Sequence, residues 1–303
     1  MKLHQIWIRS LCAGLALTLA ALSPLPRPAQ SGSTPLFFEV RSESGTAYLF
    51  GTLHVGSRRL YPLPPQIENA FAAADALVLE ANPLDQAQVV AALARGTYQP
   101  PDTLAQHIPP ALFQEVKKVA PKVGLPVEYA RSLKPHLLAM TLAMMEIQRL
   151  GYDASAGLDV YFARRAGQIA KPVLELESMD EQIELFDSLP ADAQAGLLRM
   201  ALDGITDGTM GVELETLVAA WINGDADTLH ASVLRETEGL PQAIASELNA
   251  RIYEHRNETM ASKVAAMLEG RQVVFVAVGA GHLTGATGIP ARLKARGLLV
   301  RRL

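Results

Sequence analysis

The chain is poor in cysteine. Its 303 residues include a single one, Cys12, so it cannot form an internal disulfide framework. Cys12 stands near the start of an apolar run, residues 11–22, and cleavage of an N-terminal segment containing this run would leave no thiol. Any metal site in the remaining chain must therefore use nitrogen and oxygen ligands.

The sequence also lacks an excess of positive charge and the motifs of several enzyme classes. Lys and Arg total 27 against 31 Asp and Glu, so no global charge attracts nucleic acid, and we expect no nucleic-acid partner. There is no G-x-S-x-G elbow, no H-E-x-x-H helix, no P-loop, and no G-x-G-x-x-G opening a helix after the first predicted strand. These absences argue against an α/β-hydrolase, a zincin, a P-loop NTPase and a dinucleotide-binding enzyme.

The first 31 residues have the order of a secretory signal peptide. Lys2 and Arg9 precede the apolar run, a polar Pro-rich stretch follows it, and the small residues Ala29 and Ser31 mark the best cleavage position. The run is shorter than the roughly 20 residues of a membrane-spanning helix. We expect export to the periplasm or the medium, and a mature domain of residues 32–303 that has no membrane span after signal cleavage.

Hydrophobic patterning predicts an α/β fold with a mostly parallel central sheet flanked by helices. Four apolar runs resemble strands buried on both faces: residues 47–53, 76–79, 172–176 and 273–278. Two further strands are expected, 36–40 in a hairpin with the first run and 298–302 at the end of the chain. Predicted helices cover residues 66–74, 135–150, 158–169 and 179–189, and a helical insertion covers about 191–270.

Ionisable side chains follow the four buried strands where each strand ends. They are His54, Glu80, Glu177 and His282. Both histidines close a G-x-x-H motif, whose first glycines are Gly51 and Gly279 and allow the backbone to turn sharply. Because the carboxyl ends of parallel strands share one edge of a sheet, where ligands bind in open α/β folds, we expect these side chains to meet there.

The residue types at this edge predict metal-dependent hydrolysis. Two imidazoles and one or two carboxylates suit Mn, Fe, Co or Zn, and we predict His54, His282 and Glu80 as the ligands. Such a metal lowers the pKa of a bound water, and Glu80 or Glu177 could act as the general base. Arg256, on a late helix, could clamp a carboxylate of the substrate or of the site.

Structural roles for the same residues remain open at this point. A histidine at a strand end is often only hydrogen-bonded, and an acid there can cap the next helix. Glu175 lies on the same strand face as Glu177, so the preference for Glu177 depends on its terminal position. Arg256 and Asn257 could equally form a solvated surface pair.

Taken in order, these segments resemble the TraB/PrgY/GumN family, which includes the TIKI metalloproteases, and a signal peptide without a later span is most similar to the bacterial GumN-like branch. The matching segments are Tyr48-Leu49-Phe50-Gly51-Thr52-Leu53-His54-Val55, Leu79-Glu80, Gly157-Leu158-Asp159, Lys171-Pro172-Val173-Leu174-Glu175-Leu176-Glu177, Trp221-Ile222-Asn223-Gly224-Asp225, Arg256-Asn257 and Val278-Gly279-Ala280-Gly281-His282-Leu283. The resemblance implies an EreA/ChaN-like fold and metal-dependent cleavage of a peptide or protein substrate. It assigns that chemistry to His54, His282 and Glu80 together with Gly51 and Gly279.

Two other functions fit the same resemblance. In the erythromycin-esterase branch of the fold a histidine can serve as general base without a metal, which would make the chain a metal-independent esterase-type hydrolase. In ChaN-like relatives the fold binds haem, which would make the chain a non-catalytic periplasmic binding protein whose His or Tyr ligates iron. Activity that survives EDTA would favour the metal-independent hydrolase over the metal-dependent one. A Soret band on mixing with haem would favour the haem-binding protein.

Overall fold

The computed structural model describes residues 34–235, 237 and 242–303. Residues 34–303 form one compact unit, and the predicted signal peptide lies outside the described residues. Within the described ranges no helix has the length and apolar character needed to cross a membrane.

A six-stranded sheet forms the centre of this unit. Its strands are β1 (Phe37–Arg41), β2 (Thr46–Thr52), β3 (Ala76–Leu79), β4 (Val173–Glu175), β5 (Val273–Gly279) and β6 (Leu299–Arg302). Their order across the sheet is β4-β3-β5-β2-β1-β6. The β2–β5, β3–β5 and β3–β4 pairs are parallel, whereas β1 pairs antiparallel with β2 and β6. The predicted α/β class with a mostly parallel sheet is therefore confirmed, and every predicted strand lies within two residues of its observed bounds.

The central strands are apolar on both faces because helices cover both sides. All four residues of β3 are buried, and so are Val274 to Val278 of β5. An aromatic cluster fills the core beside β5, with Phe275 packed against Phe162 at 4.8 Å and against Phe71 at 5.6 Å between ring centroids. Burial of such rings stabilises the sheet and holds its strand ends in fixed positions.

Helices make up most of the remaining described chain. They are Pro65–Ala73, Gln86–Arg95, Pro110–Val119, Val127–Ala130, Pro135–Arg149, Leu158–Gln168, Met179–Asp187, Ala191–Asp207, Thr209–Asn223, Ala226–Arg235, Gln242–Asn249, Arg256–Met267 and Ile289–Ala295. The four individually predicted helices agree with these bounds to within two residues. The helices between residues 86 and 130 were not predicted, because Pro residues interrupt the periodic pattern there.

The described residues of the stretch 191–270 are mainly helical, and their helices are divided among three cores. The helix Ala191–Asp207 packs against the helix Pro135–Arg149, where Leu198 and Leu202 join a second core apart from the sheet. The helix Arg256–Met267 instead buries Met260 against the sheet core. Packing of the helix Arg256–Met267 on the sheet brings the start of this helix to the carboxyl edge of the sheet.

Candidate active site at the carboxyl edge of the sheet

The parallel register brings four strand ends together. Thr52 of β2 pairs with Gly279 of β5, and Leu79 of β3 pairs with Ala277 of the same strand. β4 ends beside β3, since the Glu177 N–H donates to the Glu80 carbonyl at 2.7 Å. Residues more than 200 positions apart in the chain therefore reach one edge, as the strand-end argument predicts.

Gly279 lies at the point where the predicted side chains converge. A Cβ atom placed on Gly279 would stand 3.2 Å from Glu80 Oε1, 3.5 Å from His54 Nε2 and 3.6 Å from His282 Cδ2. These three groups thus surround one small volume that the missing side chain leaves free. An atom the size of a methyl carbon placed in this volume would be in van der Waals contact with all three.

His282 presents its Nε2 atom to this volume. Its Nδ1 lies 2.6 Å from Asn257 Oδ1, while Asn257 Nδ2 donates to the Thr287 carbonyl at 3.0 Å. The second contact fixes the Asn257 amide, so Oδ1 must accept and His282 Nδ1 must donate. Nε2 is left with a free lone pair, 3.7 Å from Glu80 Oε1. Burial lowers the pKa of His282 to about 4, so the ring is neutral at pH 7.

His54 is oriented in the same way by Asp159. His54 Nδ1 lies 2.9 Å from Asp159 Oδ2, and Thr52 Oγ1 donates to the other carboxylate oxygen at 2.6 Å. Nδ1 therefore carries the proton in the neutral ring, and Nε2 points away from Asp159. The Asp159 carboxylate raises the pKa of His54, and since the His54 side chain is 65% exposed, water screens this attraction.

Arg256 joins the two acidic residues. Its Nε and Nη2 donate to Glu177 Oε1 and Oε2 at 2.9 and 2.8 Å, and Nη2 also donates to Glu80 Oε2 at 2.8 Å. Nη1 donates to the Ile252 carbonyl at 3.1 Å. Groups of the protein itself thus accept from four of the five N–H donors of the guanidinium. It clamps the site's own carboxylates, which is one of the two roles expected for it.

Glu80 is ionised in this setting. Burial raises its pKa, but His282, His54 and Arg256, together with the Gly279 N–H that donates to Oε1 at 2.5 Å, lower it to about 2. Oε1 faces the volume beside Gly279, whereas Oε2 faces Arg256. Glu80 therefore offers one oxygen to a ligand and uses the other to hold its orientation.

Local backbone features place these side chains. A π-helical segment, Ala250–His255, leads directly into Arg256, and such segments are frequent at functional sites because they redirect the following side chains. On β2, the carbonyl of Gly51 accepts a buried hydrogen bond of 2.7 Å from the Trp221 indole N–H. A Cβ on Gly51 would stand 3.2 Å from Ala280, so this glycine allows the two G-x-x-H segments to approach closely.

The donor types at this edge fit a transition-metal ion, but the spacing of all three groups is wider than an ion needs. Two imidazole nitrogens and one carboxylate oxygen suit the metals named above. The 3.7 Å between His282 Nε2 and Glu80 Oε1 is close to the separation of two ligands on one cation. Over residues 34–235, 237 and 242–303, however, no three His, Cys, Asp or Glu are arranged to hold a metal ion. Metal binding would thus require His54 to move toward the other two.

In the structure Glu177 contacts Arg256, whereas Glu175 does not. The structure also shows two residues of the site that the sequence argument missed. Glu175 accepts from Gln88 Nε2 at 3.2 Å and takes no part in the Arg256 cluster. Asp159 and Asn257 orient the two imidazoles, although sequence reasoning gave neither a role. The signal that could have found them is a polar residue on a buried helix face, since both are less than 10% exposed.

Comparisons with known proteins find a matching family model and several distant relatives. The model of the TraB/PrgY/gumN family matches residues 36–302. The uncharacterized protein YbaP of Escherichia coli (strain K12) is 28% identical over 247 residues, which cover 82% of this chain and 87% of YbaP. Metalloprotease TIKI1 of Danio rerio is 24% identical over 301 residues, which cover 83% of this chain and 60% of TIKI1. No solved structure matches the chain significantly.

The family match spans nearly all of the described residues, and the distant metalloprotease relatives support a hydrolase. Both G-x-x-H segments, Glu80 and Arg256 lie inside the matched range. On these grounds the chain belongs to the TraB/PrgY/gumN family.

Proposed function

We propose that this protein is an exported metal-dependent hydrolase that cleaves peptide bonds. The observation that carries the proposal is the convergence of His54, Glu80 and His282 around Gly279. Nε2 of His282 has a free lone pair, and Nε2 of His54 has one when its ring is neutral. The metalloprotease relatives favour a peptide or protein as the substrate. The apolar run and its flanks in the first 31 residues favour export.

His54, His282 and Glu80 would hold the metal in this proposal. A metal there would act as a Lewis acid and make water nucleophilic near neutral pH. Asp159 and Asn257 keep the imidazole Nε2 atoms directed at the site, as partners of metal-binding histidines commonly do. Arg256 holds Glu80 and Glu177 in place, and Glu177 is the carboxylate left to accept a proton.

Metal titration of the metal-free protein tests this proposal. We expect Mn, Co, Zn or Fe(II) to bind with one ion per chain, and expect His54→Ala combined with His282→Ala to abolish binding. His255→Ala removes an exposed imidazole and serves as the control. Failure of all four metals to bind, or binding unchanged in the double variant, would contradict the proposal.

A second candidate is hydrolysis without a metal, with His54 as the general base. The specific observation in its favour is the His54–Asp159 hydrogen bond, which resembles the oriented imidazole of hydrolytic triads, in a site where three metal donors are not closely spaced. Peptide hydrolysis that survives EDTA but is lost in Asp159→Asn would support this mechanism over the metal-dependent one.

A further inference from the structure

A cleft of about 820 Å³ lies between the segment that follows His54 and the segment around Asp159. Its walls come from a short helical turn, the loop before Asp159 and the helix Leu158–Gln168. The residues that line it are Arg58, Tyr61, Pro62, Ser155, Ala156, Tyr161, Arg164, Arg165 and Gln168. No acidic residue is among them, whereas three are arginines.

Two of these arginines have no direct carboxylate partner among the described residues. Arg165 forms an ion pair with Glu68. Arg58 and Arg164 form no ion pair within the described part of the chain, and the side chain of Arg164 only donates to the Ser155 carbonyl at 3.0 Å. Both side chains are exposed to solvent. The cleft therefore offers two guanidinium groups whose donors are largely free for an external anion.

The acids closest in sequence to the cleft are already engaged. Asp153 accepts from the Ser155 N–H at 2.6 Å, and both oxygens of Asp159 accept from Thr52 and His54. Neither carboxylate lines the cleft. Arg164 is near enough to Asp153 to help lower the pKa of that carboxyl, but within the described residues no carboxylate oxygen comes within ion-pair distance of Arg58 or Arg164. An anion from outside the protein could therefore bind both guanidinium groups directly.

The rest of the wall is aromatic and uncharged. The Tyr61 and Tyr161 rings stand 5.1 Å apart, and the Tyr61 hydroxyl donates to the Ala156 carbonyl at 2.9 Å. Burial and the nearby Asp159 carboxylate raise the pKa of Tyr61 to about 12, so this hydroxyl stays neutral and leaves the arginine charges uncancelled. An aromatic wall beside free guanidinium groups suits an organic ligand that carries an oxyanion.

We infer that this cleft is a substrate subsite, in which Arg58 and Arg164 bind an anionic group, a carboxylate or a phosphate. Its wall residue Ala156 directly precedes Gly157, which packs against the backbone carbonyl of His54. Arginine forks match the planar oxygens of either group. The inference rests on the proposed function in one respect: it takes the molecule that binds at His54 to be the substrate of a hydrolase. In a peptide substrate the anion would be the carboxylate of an acidic side chain or the phosphate of a phosphorylated one.

Calorimetric binding to the metal-free protein tests the subsite without any need for turnover. The probes are the acetylated and amidated peptides Ala-Ala-Glu-Ala-Ala and Ala-Ala-Gln-Ala-Ala, and inorganic phosphate. We expect the Glu peptide to bind at least tenfold more tightly than the Gln peptide, and phosphate to compete with it. The Arg58→Gln/Arg164→Gln variant should remove this preference.

A matched control distinguishes loss of the subsite from a general loss of positive charge. Lys122→Gln/Arg271→Gln removes two exposed positive charges elsewhere and should keep the preference. Arg58→Gln alone, at a side chain without a hydrogen bond in the described residues, covers the case in which the double variant unfolds. It should weaken binding of the Glu peptide severalfold.

The outcomes distinguish the ligand and the function. Arginine-dependent binding of phosphate alone would support the subsite and identify its anion as a phosphate. Equal binding of both peptides with no bound phosphate, or a preference that survives in Arg58→Gln/Arg164→Gln or disappears in the control, would overturn the inference. A protein that shows the preference but hydrolyses nothing would refute the proposed function and leave the subsite standing.

Discussion

Substitution of Gly279 by alanine should separate the stability of the fold from the function of the site. Gly279 has φ −50° and ψ 135°, which alanine adopts without strain, and its N–H would still reach Glu80. The new methyl group would stand 3.2 Å from Glu80 Oε1, so that side chain must shift by a few tenths of an ångström. Replacing glycine at an unstrained position also stabilises by about 0.4–1 kcal/mol through the unfolded chain. The two effects oppose each other, and we expect the free energy of unfolding to change by less than about 1 kcal/mol.

The same methyl group should remove function. It would occupy the volume between Glu80 Oε1 and His54 Nε2, where a metal or a reacting atom has to sit. Displacement of a reacting group by about 1 Å can reduce a rate by about 100-fold, so we expect at least that loss in peptide hydrolysis, together with weaker metal binding. Urea unfolding measures stability, calorimetry measures metal binding, and mass spectrometry of a digested peptide mixture measures hydrolysis.

Gly204→Ala is the matched control for this experiment. Gly204 lies inside the helix Ala191–Asp207, and a Cβ there would meet nothing closer than 3.5 Å. We expect about 1 kcal/mol of added stability and unchanged activity. If Gly279→Ala kept full activity and metal binding, the site would not lie around Gly279. If it lost more than about 3 kcal/mol of stability, the packing described around Glu80 would be wrong.

Three further changes test other parts of the structure. Trp221→Phe leaves the buried Gly51 carbonyl without its indole partner, so urea unfolding should show a loss of about 1–3 kcal/mol; an unchanged midpoint would contradict the hydrogen bond. Asn257→Ala frees the His282 Nδ1 atom, and we expect metal affinity to fall about 10–100-fold in calorimetry, whereas unchanged affinity would show that the ring orientation does not matter. Burial lowers the pKa of His136 from its ordinary 6.5, so below about pH 6.5 the unfolded chain binds a proton that the folded chain does not, and stability falls as the pH decreases. His136→Gln should reduce this slope by up to about 1.4 kcal/mol per pH unit, measured by urea unfolding between pH 7 and pH 5, and an identical slope in both proteins would refute the assignment.

The positions of the strands and of the acids and histidines at their ends could be predicted from the sequence. Strands buried on both faces, such as β3 with Ala76 to Leu79, appear as short apolar runs, because neither face can carry a polar side chain. A polar residue directly after such a run must lie at the sheet edge. His54 and His282 could therefore be brought together from opposite ends of the chain by the expectation of a parallel sheet alone.

The partners of these residues could not be predicted, because they depend on how distant helices pack. Asp159 and Asn257 lie on two different helices, and only the packing of both helices on one sheet brings their side chains to the imidazole Nδ1 atoms. The sequence favoured Glu177 over Glu175 only by its terminal position, and the structure adds a physical difference: Glu177 accepts from Arg256, whereas Glu175 accepts from Gln88.

The sequence by itself thus determined which chemical groups reach the edge of the sheet, since local hydrophobic patterning sets where each strand ends. The tertiary structure alone decided the orientation, protonation and spacing of those groups. Hydrogen bonds and charges act over a few ångströms between residues that the chain order keeps far apart. The lack of an ion pair at Arg58 and Arg164 among the described residues has the same cause, because an ion pair forms only where folding brings an acid within reach.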